Sequence, residues 1–180
     1  LACDMLGEES ENKIAFFDVE LNNKRIWERK VEDDLDRALT NKEFQVYLQA
    51  KIQTKKETLA GAEALVRWIH PEDGFIPPNK FIPILEKNGF ITKLDDYMLE
   101  EVAALQSRWI AEGRKIVPIS VNVSRAHFTR TDLAKHICSI VDKYNTPHDV
   151  IELELTESAF FDDKNLLLNT VKQLRQAGFS

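Results

Sequence analysis

The hydrophobic pattern changes period along the chain, and each change marks a predicted element. Between about Lys24 and Leu39, Trp27, Val31, Leu35 and Ala38 recur at helical spacing and form one apolar stripe. Glu32, Asp33, Asp34 and Asp36 fall mostly on the other side, as a solvated helix face would. Phe44-Gln45-Val46-Tyr47-Leu48-Gln49 alternates apolar and polar residues, the period of a half-buried strand. Lys55-Lys56-Glu57 then turns into an apolar strand at 60–68. Pro71-Glu72-Asp73-Gly74 is turn chemistry, and a short helix from about Asn79 to Lys87 ends at Asn88-Gly89. Thr92 is placed to cap a long helix in which Leu94, Met98, Val102, Leu105 and Trp109 repeat, and Gly113 stops it. The β-branched run 116–123 predicts a buried strand, and a helix over 133–144 turns Leu133, Ile137, Ile140, Val141 and Tyr144 inward. A strand at 150–155 and a helix at about 163–177, closed by Gly178, complete the pattern. Near the start, Ile14–Val19 reads as a short strand.

After the first strand pair, strands and helices alternate, which is the grammar of an α/β fold with a parallel sheet. Right-handed crossovers put the helices on one side of such a sheet.

Several polar residues interrupt these apolar elements. Alternation puts Glu63, Leu65 and Arg67 on one face of the strand at 60–68, and Ala64, Val66 and Trp68 on the other. A carboxylate and a guanidinium there are either an intrastrand ion pair or a metal ligand beside a phosphate binder. Asn122, near the end of its strand, either caps a neighbouring turn or serves a site. Glu152 and Glu154 share a face, which is usual for a solvated sheet surface. In parallel α/β barrels, however, chemistry gathers at the C-terminal ends of strands. Glu63, Asn122 and Glu154 come from three successive predicted strands, the latter two near their ends.

Charge narrows the ligand classes. The 180 residues carry a net charge of −6, which argues against a general nucleic-acid binder. Any anionic ligand needs local help from arginine or a metal. Cys3 and Cys138 have neither metal spacing nor a disulfide framework, which suits a reducing, cytoplasmic setting. No apolar run approaches the ~18 residues of a membrane span, and no signal peptide is visible. His70, His127, His136 and His148 are scattered and read as structural or exposed.

Glu63-Ala64-Leu65-Val66-Arg67-Trp68 resembles the signature of the EAL family, bacterial phosphodiesterases that hydrolyse the second messenger cyclic di-GMP. The resemblance extends to Gly74-Phe75-Ile76-Pro77-Pro78 with Phe81-Ile82-Pro83, to Val121-Asn122-Val123-Ser124, and to Glu154-Leu155-Thr156-Glu157-Ser158. The order and spacing match the first half of the family's domain, over about 43–180. At Ala50 the chain departs from the proline that is usual there. Residues 1–20 resemble the tail of a GGDEF domain. The implied organisation is a GGDEF remnant (1–20), a linker helix (21–42) and the N-terminal half of an EAL domain (43–180). The implied fold is a partial TIM-like (β/α) barrel with an antiparallel first strand, roughly the first four of eight strands.

The resemblance also implies roles. Glu63, Asn122 and Glu154 become metal ligands, whose oxygen donors suit Mg²⁺ or Mn²⁺. Gln49, Leu65 and Arg67 become substrate-binding residues. Glu63 and Glu157 become catalytic, Glu157 by steadying a catalytic loop. The implied reaction is two-metal hydrolysis of cyclic di-GMP to linear pGpG. The family's remaining acids and its lysine would fall beyond Ser180, so residues 1–180 alone are expected to be inactive. Open sheet edges lead us to expect a homo-oligomer. The parent protein is expected to carry GGDEF and sensory domains, with membrane attachment left open. Two other readings stand beside this one: a non-catalytic cyclic di-GMP receptor, and a regulatory module in which helix 24–39 mediates dimerisation.

Overall fold

The computed structural model describes residues 19–155 and 164–180. Helix α1 (Val19–Thr40) begins earlier than the stripe suggests and absorbs the end of the strand expected at 14–19. The rest of that strand, and of the expected GGDEF remnant, lies outside the described residues. The stripe itself is as expected, with Val31, Leu35 and Ala38 buried in the common core. Trp27 donates its indole N–H to the carbonyl of Lys80 at 2.8 Å. Glu32, Asp33 and Asp36 are exposed, whereas Asp34 is half-buried and paired.

Strands β1 (Phe44–Gln53) and β2 (Thr58–His70) pair antiparallel. A three-residue strand, β3 (Gly74–Ile76), folds back onto the end of β2. So short a strand, lodged between a turn and two prolines, has no period to read in sequence. The helix expected over 79–87 is two pieces, a 3-10 turn at Pro78–Lys80 and then α2 (Ile82–Lys87). Helix α3 (Ile91–Ala111) starts one residue before Thr92, so Thr92 does not cap it. Its hydroxyl donates instead to the carbonyl of Gly89 at 3.1 Å, while Asn88 Oδ1 accepts the N–H of Phe90 at 3.0 Å. Strand β4 (Ile119–Val123) is shorter than predicted, because Pro118 has no N–H to continue the ladder. The Pro118 carbonyl instead accepts the N–H of Ala62 at 2.9 Å. Helix α4 (Leu133–Asp142), strand β5 (Ile151–Leu155) and helix α5 (Lys164–Ala177) follow.

The sheet order is β1-β2-β4-β5, with β3 on β2. Strands β2, β4 and β5 run parallel and β1 antiparallel. This is the partial TIM-like barrel, in the α/β class, with its first strand reversed. One face of the sheet lies against the helices. There Phe44, Trp68 and Phe81 form a ring cluster with centroids 5.0–5.6 Å apart. Ile119, Val121 and Ile151 join the same core as Leu94, Val102 and Ile137. Buried Gln106 donates to the carbonyls of Val117 (2.9 Å) and Val150 (3.1 Å), tying together the approaches to β4 and β5.

The end of β2 is fastened to α1. His70 Nδ1 accepts the N–H groups of Glu72 (3.2 Å) and Asp73 (3.0 Å), which leaves the ring proton on Nε2, 3.1 Å from Asp34 Oδ2. Arg37 bridges Asp34 and Glu43, and Glu43 accepts the Trp68 indole N–H at 3.1 Å. Among the described residues no helix is long and apolar enough to cross a membrane.

Candidate functional site

Residues directly opposite in an antiparallel pair share a face. The register pairs Gln49 with Glu63, Tyr47 with Leu65 and Gln45 with Arg67. Gln49, Glu63, Leu65 and Arg67 therefore all lie on the face turned away from Trp68 and the helices. Across the parallel strands, Glu63 stands level with Ser120 and Asn122 level with Glu154. Asn122 Nδ2 lies 3.4 Å from Glu63 Oε1. The fold thus gathers Glu63, Asn122 and Glu154 at three adjoining strands on one face. Asn122 caps no turn.

Glu63 and Arg67 form no ion pair. Arg67 Nη1 donates to the carbonyl of Val66 at 2.8 Å, and its guanidinium lies 5.7 Å from the centre of the Tyr47 ring. That leaves the cation on the open face with no carboxylate partner among the described residues. Gln49 is exposed and Leu65 half-buried on the same face. Glu157 lies outside the described residues.

A residue absent from the sequence reading, Lys51, sits in the middle of this group. Its Nζ is 2.5 Å from Glu154 Oε1 and 3.4 Å from Glu152 Oε2, and it also bonds Ser120 Oγ. Ser120 Oγ donates to Glu152 Oε2 at 2.8 Å. Glu152 is therefore a paired acid, where the sequence suggested a solvated one. The hydrogen bond from Lys51 holds the Glu154 carboxyl below the usual carboxylate range, and the same bond raises the Lys51 ammonium. Alternation alone would have placed Lys51 on the face of Gln49. What sequence could not supply was the approach of β1 to β5. Lys51 pairs with Gly61 on β2 and its stem passes over that residue, whose lack of a side chain is required by the Pro118 carbonyl oxygen, which a Cβ would meet at 2.9 Å.

Beside the group, a cavity of about 260 Å³ opens between the ends of β2 and β4 and helices α2 and α3. Leu65, Arg67, Asn122 and Asp95 are among its walls. Burial pushes the Asp95 carboxyl up to about 6, although it accepts the N–H of Ser124 at 2.9 Å. His127, whose ionisation burial pushes down, lies 3.5 Å from Asp95, and His136 is 2.8 Å from Asp96. His148 stacks on Phe179 with ring centres 4.2 Å apart. The four histidines are structural, and none joins the acid group.

The donor set at the site is two carboxylates and one amide oxygen, all hard ligands on a half-open face. Among the described residues no three His, Cys, Asp or Glu side chains cluster to enclose a metal. Such a set fits a hard divalent cation that keeps several of its own waters, and does not fit a closed zinc site.

The family model described as the EAL domain matches residues 32–180. The bifunctional diguanylate cyclase/cyclic di-GMP phosphodiesterase MucR of Pseudomonas aeruginosa is 28% identical over 171 residues, 95% of this chain and 25% of its own length. The cyclic di-GMP phosphodiesterase PdeR of Escherichia coli K12 is also 28% identical over 171 residues, 95% of this chain and 26% of its own. The chain spans about a quarter of the length of these curated relatives. A solved structure of the MucR phosphodiesterase in complex with cyclic di-GMP superposes with a TM-score of 0.76 at 28% identity, covering 84% of this chain and 61% of that one.

Proposed function

The chain belongs to the EAL domain family, and from that premise we propose that its open sheet face is a metal-dependent cyclic di-GMP phosphodiesterase site producing linear pGpG. The observation that carries the reading is the meeting of Glu63, Asn122 and Glu154 on one face of three adjoining parallel strands. These residues would hold Mg²⁺ or Mn²⁺. A bound ion of this kind supplies Lewis acidity at the scissile phosphate and lowers the pKa of an attacking water. Arg67, with no carboxylate partner among the described residues, is suited to a non-bridging phosphate oxygen through its planar fork of donors. Leu65 offers the nucleoside an apolar contact, and Gln49, opposite Glu63, offers an amide that can donate or accept. Glu157 is assigned to steadying the adjoining loop. Residues 21–42 would link this unit to a GGDEF domain, a reading supported by the bifunctional name of MucR.

A receptor that binds cyclic di-GMP without cutting it is the second reading. It is favoured by the Lys51 contact, which leaves Glu154 satisfied without any metal. Incubating the full-length parent protein with cyclic di-GMP and Mn²⁺ separates the two. Formation of pGpG, abolished by Glu63→Ala, supports the phosphodiesterase; tight binding of the dinucleotide with no product supports the receptor.

A further inference from the structure

We propose that Lys51 is a positioning residue that sets the divalent-cation affinity of the acid site, acting as a resident cation on Glu154. The inference rests on the metal reading of that site. Sheet order alone would keep these residues apart, since Lys51 is on β1 and Glu154 on β5, with β2 and β4 between them. Neighbouring strands are about 4.8 Å apart, so three such steps in a flat sheet exceed a lysine's reach. In the folded sheet the distance is nevertheless closed, and the lysine stem runs over Gly61 with its Cδ 3.9 Å from where a Cβ would stand, an ordinary packing distance. At its end the ammonium finds three acceptors, from Glu154, Glu152 and Ser120, and so matches its three donors. A surface lysine in a casual ion pair would not have so full an acceptor set.

The consequence is a competition. Glu63, Glu152 and Glu154 together carry three negative charges, and Lys51 offsets one of them, leaving two. With the ammonium in place Glu154 is held in one orientation, and a divalent ion must approach a carboxylate that already has a cation. Without it, the acids repel one another and bind a divalent ion more strongly. Lys51 thus keeps the empty site intact and the metal exchangeable.

The test is a Mn²⁺ titration of the purified protein, read by water-proton relaxation, together with melting curves with and without Mn²⁺. Lys51→Met, which keeps the length and removes the charge, is expected to bind Mn²⁺ about tenfold more tightly than the wild type. Its melting temperature should rise more on adding the ion than the wild type's does. Lys51→Arg, which restores the charge, should return the affinity towards the wild-type value. If Lys51→Met does not fold, Lys51→Gln carries the same expectation, because it keeps a donor to Ser120 without the charge. Unchanged or weaker Mn²⁺ binding in the neutral variants, with the wild type binding normally, overturns the role of Lys51 alone. No binding of Mn²⁺ by the wild type overturns the metal reading itself and this inference with it.

Discussion

On one side of β2, Ala64, Val66 and Trp68 pack against helices; on the other, Glu63, Leu65 and Arg67 face an open surface. The first side is fixed many times over. Trp68 is 1% exposed, packs against two phenylalanine rings and gives its N–H to Glu43. The second side is held by polar contacts rather than by packing, such as the 3.4 Å approach of Asn122 to Glu63 and the bond from Arg67 to the Val66 carbonyl at 2.8 Å. One strand therefore divides its labour by parity. Alternate residues answer to stability and to chemistry, and substitutions should separate along the same line.

The largest effect should come from the packed side. Trp68→Ala is expected to cost about 3–5 kcal/mol in chemical denaturation, from lost burial and the cavity left behind. Next is Glu63→Gln on the open side. In the full-length parent protein it should lower the proposed cyclic di-GMP hydrolysis at least ~100-fold (about 2.7 kcal/mol in the barrier), with stability changed by no more than about 0.5 kcal/mol. A large loss of stability in Glu63→Gln would break the division between the faces.

Asp95 sharpens the comparison because it is a functional-looking acid placed in the packed region. Its folded pKa, about 6, lies above the ordinary value of 3.8. The native state thus holds the proton more tightly than the unfolded chain. Its contribution to stability is full below pH 3.8 and is lost as pH rises through about 6. Asp95→Asn removes this titration, so its stability relative to wild type should improve by up to about 3 kcal/mol between pH 4 and 7. Parallel denaturation series at several pH values check this. The smallest effect is expected from Tyr47→Leu, which removes the ring under Arg67. It should change stability by less than ~1 kcal/mol, the scale of an exposed cation–π contact.

What was legible in sequence follows from how local each signal is. Val31, Leu35 and Ala38 fall on one helical stripe whatever packs against them, and the faces of β2 follow from alternation alone. That Glu63, Asn122 and Glu154 come from successive strands and share one sheet face was also readable, because their strands announce themselves by pattern. Thr92 misled because a hydroxyl near a helix start looks the same whether it lies before or inside the first turn. The three residues of β3 were too few to show a period. Lys51 was missed for a different reason. Its partners are more than 65 residues away, and their meeting depends on how the folded sheet brings β1 towards β5.

The bond from His70 to Asp34 gives the molecule a built-in spectroscopic reporter. The ring is 2% exposed, and its Nε2 proton is held against a carboxylate rather than water. A proton so placed exchanges slowly and should appear as a discrete downfield line in the proton NMR spectrum. It marks a junction where helix α1 is fastened to the strand that carries Glu63 and Arg67. The line should persist while that junction is closed and vanish into the water signal whenever the helix lifts away, so the docking of α1 can be followed in solution without attaching a label.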